Sequence, residues 1–205
     1  MRIKKTFVIT MLMLGMLMIG AACAADNDTA VSSDDTDAVL AQEDAETLES
    51  NDGDVLKDDY SETSFKALNR TIHEATGLEI ELDNNYTYDG SSDSEFRNGI
   101  ILNKSITING NGKTISGSGQ ARIFNITSGA VVTIKNLNLI NANAENGGAI
   151  YVDHAKLTIT DSSLTHNKAT RGAAIYNDEG TVIIDNVIFT NNYVEKYAGA
   201  IYNEG

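Results

Sequence analysis

The chain has 205 residues with 29 acidic and 15 basic side chains, a formal net charge of −14, and no proline or tryptophan. This acidic balance argues against nucleic acid as a partner, because binding to phosphates requires a basic face. The length is enough for one extended domain. Since Cys23 is the only cysteine, an internal disulfide is excluded, and the stability must come from buried apolar surface.

The first segment, residues 1–25, has the pattern of a secretory signal peptide. A basic start and an apolar run over residues 7–20 precede Ala22-Cys23-Ala24, a small-x-small cleavage site. The apolar run is short for a membrane span, so we expect a mature chain without one. Two alternatives remain, an uncleaved anchor and a lipoprotein acylated at Cys23. All three interpretations predict a secreted or cell-surface location.

The second segment, residues 26–62, is acidic and of low complexity. It holds fourteen Asp and Glu residues against the single Lys57, and thus nearly all of the net charge. With few large apolar side chains it cannot bury enough surface to offset the entropy of ordering, so we expect a disordered tether. Cation binding is the alternative, although the Asp-x-Asp-x-Asp-Gly loop of EF-hand calcium sites is missing.

A short helix is predicted over residues 64–77, at the start of a β-helix domain over residues 63–205. Ser64 is a suitable N-cap, apolar residues recur at helical spacing from Phe65, and Gly77 is a suitable stop. A helix of about three turns is marginal alone. Its apolar face should therefore cover the open first coil of the structure that follows.

Residues 131–205 contain three copies of one pattern. Each copy has two short runs of alternating apolar residues and closes with two small residues followed by Ile and Tyr. These closing motifs lie 25 and then 26 residues apart, so the third copy has one extra residue, before Ala198. A repeat of this length, made of short β-prone runs, is typical of a solenoid. Similar runs precede the repeat, and we predict coils over residues 78–205.

Each coil should contain three strands and one variable loop. Asn136, Asp161 and Asn186 occupy the bend between the first two strands of each copy. These residue types tolerate the left-handed conformation of a tight corner, and stacked corners can form a ladder of side-chain hydrogen bonds. Parallel pairing from coil to coil makes an all-β, right-handed single-stranded parallel β-helix with a short N-terminal capping helix. A β-meander or sandwich has similar turns but no such repeat.

Two motifs carry a resemblance to known families. Gly147-Gly148-Ala149-Ile150 and Phe189-Thr190-Asn191-Asn192 are similar to the GGAI and FxxN motifs of polymorphic outer-membrane-protein repeats. From about residue 65 to residue 205, the chain resembles the adhesin-like surface proteins of methanogenic archaea. The resemblance implies a pectate-lyase-like β-helix at the cell surface and an adhesin role. Departures are Leu164, which replaces the Phe of FxxN, and Ala142, where Asn is expected.

We expect a non-catalytic binding or structural scaffold. The fold hosts polysaccharide lyases and hydrolases, which need clustered carboxylates and an Arg or Lys base. The candidates are Asp161 and Asp185, one coil apart, with Arg122 and Arg171, but corner residues that bond to backbone explain the two acids as well. No catalytic residue, cofactor or metal ligand is therefore assigned. A carbohydrate-active enzyme with a degenerate site and a purely structural surface-layer component remain alternatives.

The strand alternation places Tyr151, Tyr176 and Tyr202 in an outward row, where they are candidate contacts for glycans or other cells. A ladder that stabilises the stack is the alternative. Separately, the chain contains Asn-x-Ser/Thr sequons, which in an exported protein predict N-glycosylation. The sequons begin at Asn27, Asn69, Asn85, Asn103 and Asn125.

The repeat pattern is still running at Gly205. If the last coil has no successor, its row of unpaired backbone groups is an exposed sheet edge, which proteins usually cover. We therefore expect either a continuation of the chain in a longer protein or end-to-end association between copies.

Overall fold

The computed structural model describes residues 61–205. The predicted signal peptide, and the tether apart from its last two residues, lie outside this range. The described residues contain helix α1, Phe65–Glu74, a 3₁₀ turn at Ser94–Phe96, and eighteen strands. The strands are β1 Glu79–Glu81, β2 Tyr86–Thr87, β3 Ile100–Leu102, β4 Ile106–Asn109, β5 Thr114–Ser116, β6 Phe124–Ile126, β7 Val131–Lys135, β8 Asn138–Ile140, β9 Asn143–Asn146, β10 Ile150–Asp153, β11 Lys156–Thr160, β12 Ser163–Thr165, β13 Lys168–Arg171, β14 Ile175–Asp178, β15 Thr181–Asp185, β16 Ile188–Thr190, β17 Tyr193–Tyr197 and β18 Ile201–Glu204.

The strands form four parallel sheets that run along a stack of coils. Sheet I contains β1, β4, β7, β11 and β15, and sheet II contains β2, β5, β8, β12 and β16. Sheet III contains β3, β6, β10, β14 and β18, and sheet IV contains β9, β13 and β17. Each strand pairs in parallel with its counterpart one coil away. This arrangement confirms the predicted parallel β-helix, with five coils among the described residues.

The core lies inside the coils, where apolar side chains stack in register. In sheet I, Val132 pairs with Leu157 and Ile134 with Ile159, and all four side chains are fully buried. The intervening Thr133 is half-buried and faces outward. Burial of each such aliphatic side chain is worth about 1.5–3 kcal/mol, so the alternating sequence pattern accounts for much of the stability.

Corner residues adopt the left-handed conformation that the Asx pattern predicts. The φ angles of Asn136, Asp161 and Asn186 are 53°, 49° and 50°. The predicted side-chain ladder is present in part, since Asn186 Nδ2 donates to Asp161 Oδ1 at 2.7 Å, whereas Asn136 Nδ2 donates to Asn109 Oδ1 at 3.4 Å. A second column of left-handed corners, at Asn141, His166 and Asn191, precedes sheet IV. Both columns turn the chain sharply with one residue.

The prediction of three strands per coil is wrong for the last three coils, which have four. The segments expected to be variable loops form β9, β13 and β17 of sheet IV. Their side chains differ, but backbone pairing does not require shared side chains. The extra residue of the third copy lies in this sheet. Ala169 pairs with Val194 but Arg171 pairs with Tyr197, so β17 carries a β-bulge.

The Asn of the FxxN motif lies inside the stack of coils, where its side chain forms hydrogen bonds with backbone groups of the preceding coil. Asn167 is fully buried. Its Oδ1 accepts from the N–H of Ala142 at 2.9 Å, and its Nδ2 donates to the carbonyl of Leu139 at 3.2 Å. Asn192 Oδ1 accepts from the same Nδ2 at 3.0 Å. The motif therefore links adjacent coils through the N–H of Ala142 and the carbonyl of Leu139.

Helix α1 begins as predicted and ends earlier. The N-cap is Ser64, whose Oγ accepts from the N–H of Ala67 at 3.1 Å. The helix ends at Glu74 rather than near Gly77, because Ala75 already has an extended ψ of 123°. The apolar face is buried, and Phe65 packs edge-on against Tyr88, with ring centroids 5.4 Å apart. This face covers the first coil.

The carboxylate of Asp93, which sequence reasoning missed, fastens the start of α1. Asp93 is fully buried. Its Oδ2 accepts from the N–H groups of Phe65 and Asp89, and its Oδ1 accepts from that of Lys66, each at 2.9 Å. The first N–H groups of a helix have no partner within the helix, and a negative charge there is favourable. Asp93 therefore joins the cap to the loop over residues 89–98.

The coil formed by β15–β18 is more exposed than those before it. Ile183 is 44% exposed and Ile188 is 63% exposed. The expectation of a continuation or of end-to-end association stays a prediction.

Candidate functional site

The three tyrosines form one stack on the outer side of sheet III. The ring centroids of Tyr151 and Tyr176 lie 5.3 Å apart, and those of Tyr176 and Tyr202 lie 5.1 Å apart, with interplanar angles of 18° and 15°. Tyr176 is only 3% exposed, because its neighbours cover both faces of its ring. The row is therefore a stabilising ladder, in which each aromatic pair is worth about 0.5–1.5 kcal/mol. Tyr151 and Tyr202 are half-buried and retain some accessible surface.

The tyrosine hydroxyls donate hydrogen bonds to acids of the next coil. Tyr151 donates to Asp178 Oδ2 at 2.5 Å, and Tyr176 donates to Glu204. Burial, and then the hydrogen bond to Asp178, raises the pKa of Tyr151 far above its ordinary value. Burial, and then the hydrogen bond to Glu204, raises the pKa of Tyr176 to about 12. Both phenols therefore stay protonated at neutral pH, where neither serves as a base.

Two arginines lie against the tyrosine stack. The guanidinium carbon of Arg122 lies 5.1 Å from the Tyr151 centroid, and that of Arg171 lies 5.3 Å from the Tyr176 centroid. Both distances are within the range of cation–π attraction. Arg122 also donates to three backbone carbonyls, through Nε to Gly147 at 3.1 Å, Nη1 to Asn98 at 3.0 Å and Nη2 to Asn146 at 2.8 Å. Burial lowers its pKa, but an arginine remains charged in proteins.

A polar groove of about 490 Å³ adjoins the Tyr151 end of the stack. Its lining residues include Arg97, Gln120, Arg122, Glu145 and Tyr151. They come from the loop after the 3₁₀ turn, the corner before β6, and strands β9 and β10. The sequence did not predict the groove, because its lining comes from segments that are separated along the chain. Arg97 and Arg122, the two basic residues of the lining, belong to no recognisable motif. Ligand sites are typically concave and hold about 300–1,000 Å³, so its size suits a small ligand.

The acids and arginines considered for lyase chemistry lie apart. Asp161 and Asp185 are in adjacent coils, since the N–H of Asp161 donates to the carbonyl of Asp185 at 3.2 Å. Asp161 Oδ1 accepts from a neighbouring corner residue, as the structural interpretation predicts. Arg122 and Arg171 contact the tyrosine stack instead. Within residues 61–205, no group of three His, Cys, Asp or Glu side chains is arranged to hold a metal ion.

Four of the five sequons lie in the described range. Asn85 and Asn103 are exposed, while Asn69 on α1 and Asn125 on β6 are half-buried. Asn85 Oδ1 accepts from the N–H of Thr114 at 2.8 Å. The Oδ1 atom of Asn125 is buried without a hydrogen-bond partner. Asn27 lies outside the described residues, and glycosylation of all five stays a prediction.

One stretch of the chain matches a known family model. Residues 186–204 match the Chlamydia polymorphic membrane protein repeat. The matched stretch runs from the corner before β16 to the end of β18 and includes the third FxxN and small-Ala-Ile motifs. It supports the repeat interpretation for one coil. No curated protein and no solved structure matches the chain. Across residues 61–205, no helix is long and apolar enough to cross a membrane.

Proposed function

We propose that this chain is a non-catalytic scaffold displayed outside the cell, which contacts glycans or other cells through the outer side of sheet III. The observation that carries the proposal is the contrast between two sets of residues. The recurring aliphatic, corner and FxxN residues all build the coil. The outer side of sheet III also borders a polar groove, whose lining includes Arg97, Gln120 and Glu145, which coil construction alone does not require.

Surface display is supported by two independent features. The N-terminal segment has the pattern of a secretory signal peptide, and the coil at residues 186–204 matches a repeat named for a chlamydial membrane protein. A β-helix also suits this role, because a solenoid offers a long, rigid surface for binding. These features together support an adhesin role, and the archaeal affinity rests on the sequence resemblance alone.

Tyr202 is half-buried and keeps accessible surface for sugar stacking. It stacks on Tyr176, and the guanidinium carbon of Arg171 lies 6.0 Å from its ring centroid. Exposed aromatic rings suit sugars because they combine apolar area with a polar tip. Tyr151 has a neighbour on each side, Tyr176 and Arg122, and contributes edges rather than a free face.

The experiment is a binding screen of the purified full chain against a glycan array and against intact cells. We expect binding to at least one glycan class, and a several-fold loss with Tyr202→Ala. The matched control is Tyr193→Ala, which removes an exposed tyrosine from sheet IV and should leave binding unchanged. Equal losses in the two variants, or no binding by the wild type, would overturn the proposal of a binding face.

Catalysis is tested separately with acidic and neutral polysaccharides. A lyase releases unsaturated products that absorb in the ultraviolet, and a hydrolase releases reducing ends. We expect neither, because the candidate acids and arginines have separate structural partners. Product release from polygalacturonate that depends on Asp161 or Asp185 would favour the enzyme alternative.

A further inference from the structure

We propose that the groove beside Tyr151 binds the anionic group, a carboxylate or a sulfate, of an acidic saccharide. This proposal rests on the proposed function, since it names the class of glycan that the outer side of sheet III takes.

The groove has a positive local charge. Arg97 and Arg122 both line it, against the single carboxylate of Glu145. Neither arginine forms an ion pair within the described residues. Nearly all of the net charge of −14 lies in residues 26–62, so two arginines against one carboxylate leave the groove locally positive. Such a site attracts anions, and the attraction is strongest at low ionic strength.

Unused donors are available at both arginines. A guanidinium has five N–H donors. Arg122 donates three of them to backbone carbonyls, which leaves two donors. These three bonds also fix the orientation of the side chain. Arg97 is exposed, and its side chain makes no hydrogen bond to a described residue. Planar guanidinium groups bind carboxylate and sulfate-like oxyanions well because two donors can reach two oxygens. A fixed arginine beside an exposed one provides both orientation and charge.

The aromatic ring of the groove favours a polar mode of recognition. Tyr176 stacks on Tyr151 at 5.3 Å, and Arg122 lies 5.1 Å from the same centroid. A neutral sugar would gain most from an open ring face, and the contacts of Tyr151 leave its edge instead. Amides complete the lining: Gln120 is exposed, and Asn143 donates through Nδ2 to the carbonyl of Gly119 at 3.0 Å, so its Oδ1 is oriented. These groups suit sugar hydroxyls.

The test measures binding of the purified full chain to three immobilised polymers: a polyuronate, a sulfated dextran and neutral dextran. Arg97→Gln removes one groove charge, and Lys156→Gln removes one charge from an exposed residue of sheet I. Because a charge-assisted hydrogen bond is lost, Arg97→Gln should weaken acidic-polymer binding roughly tenfold at low salt. Lys156→Gln should change the affinity for acidic polymers less than about twofold, because the charge of Lys156 is distant from the groove and screened by salt. Glu145→Gln should strengthen binding, since it removes the opposing charge.

The outcomes separate the two sources of the anion and the two proposals. Loss of polyuronate binding in Arg97→Gln identifies a carboxylate, and loss of sulfated-dextran binding identifies a sulfate; either result supports the groove. Equal weakening by Arg97→Gln and Lys156→Gln, or equal affinity for neutral dextran, overturns it. If the chain binds neutral glycans in the array through Tyr202 but no acidic polymer, the groove proposal fails while the proposed function stands. Thermal unfolding of each variant confirms that its fold is intact.

Discussion

Replacement of Asp93 by Asn should loosen the cap from the β-helix. The substitution keeps the shape of the side chain but replaces one carboxylate oxygen by an NH₂ group. In the wild type, Oδ2 accepts two backbone N–H groups, of Phe65 and Asp89, and Oδ1 accepts that of Lys66. The best orientation of the amide keeps its oxygen at the Oδ2 position. Its NH₂ group then faces the N–H of Lys66, and that hydrogen bond is lost.

The magnitude follows from these contacts. A hydrogen bond to a charged group is worth about 1.5–3 kcal/mol, and a negative charge at a helix N-terminus adds about 0.3–1 kcal/mol. One bond is lost outright, and the two that remain become neutral and weaker. Asp93→Asn should therefore lower the free energy of unfolding by about 2–4 kcal/mol. The value is large for one substitution because Asp93 is fully buried.

Urea unfolding followed by circular dichroism measures the global effect, and hydrogen exchange of the α1 amides measures the local one. The matched control is Asp83→Asn, which removes the same charge at an exposed residue and should change stability by less than about 0.5 kcal/mol. We expect faster exchange over Phe65–Glu74 in the Asp93 variant alone. Equal stability of the two variants, with unchanged helix protection, would refute the conclusion that Asp93 fastens the start of α1.

Three further predictions concern single positions in the coils. Asn167→Ala should cost about 2–4 kcal/mol in urea unfolding, because the buried N–H of Ala142 loses its acceptor; a change below about 0.5 kcal/mol would contradict the role given to the FxxN motif. Gly147→Ala should cost at least about 1 kcal/mol more than Gly112→Ala: both have positive φ, but only at Gly147 would a Cβ meet a backbone carbonyl, that of Ile150. Equal losses would contradict the packing. The hydrogen bond to Asp153, and then the charge of Glu179, raises the pKa of His154. Because the folded pKa is raised, the stabilisation by His154 is complete below its unfolded pKa of about 6.5 and is lost as the pH rises through the folded value. The advantage of wild type over His154→Asn in unfolding midpoint should thus shrink from pH 5.5 to pH 9, and a pH-independent difference would contradict it.

Much of the coil could be predicted because its signals are local. Alternation along residues 131–135 fixes which side chains lie inside, and Asn136 marks the corner that follows. Sheet IV could not be predicted in this way. Its strands share only one apolar column, Ala144, Ala169 and Val194. Backbone pairing and a few side-chain contacts, such as Arg171 Nε to Asn146 Oδ1, hold them in register. The end of α1 was missed for a similar reason, since the extended ψ of Ala75 has no sequence signal comparable to Gly77.

The candidate site was predictable in part. The constant spacing placed Tyr151, Tyr176 and Tyr202 in one row, and the structure confirms that row. Their burial was not predicted, because it depends on the rotamers that stack the rings on both faces of Tyr176 and on Arg122 and Arg171 beside them. The groove, and the hydrogen bonds from α1 to the Asp93 carboxylate, each join segments that are about 25 residues or more apart in the sequence. Contacts of this kind follow from the coil register, which the sequence pattern gives only within the repeats.

Surface display is the central claim of the proposed function, and labelling of intact cells tests it most directly. An antibody raised against the β-helix is applied to intact and to permeabilised cells of the organism that makes the protein. A cytoplasmic protein serves as the control for cell integrity. The account predicts that intact cells, or the medium around them, contain nearly all of the recognised protein. Recognition only after permeabilisation would contradict it.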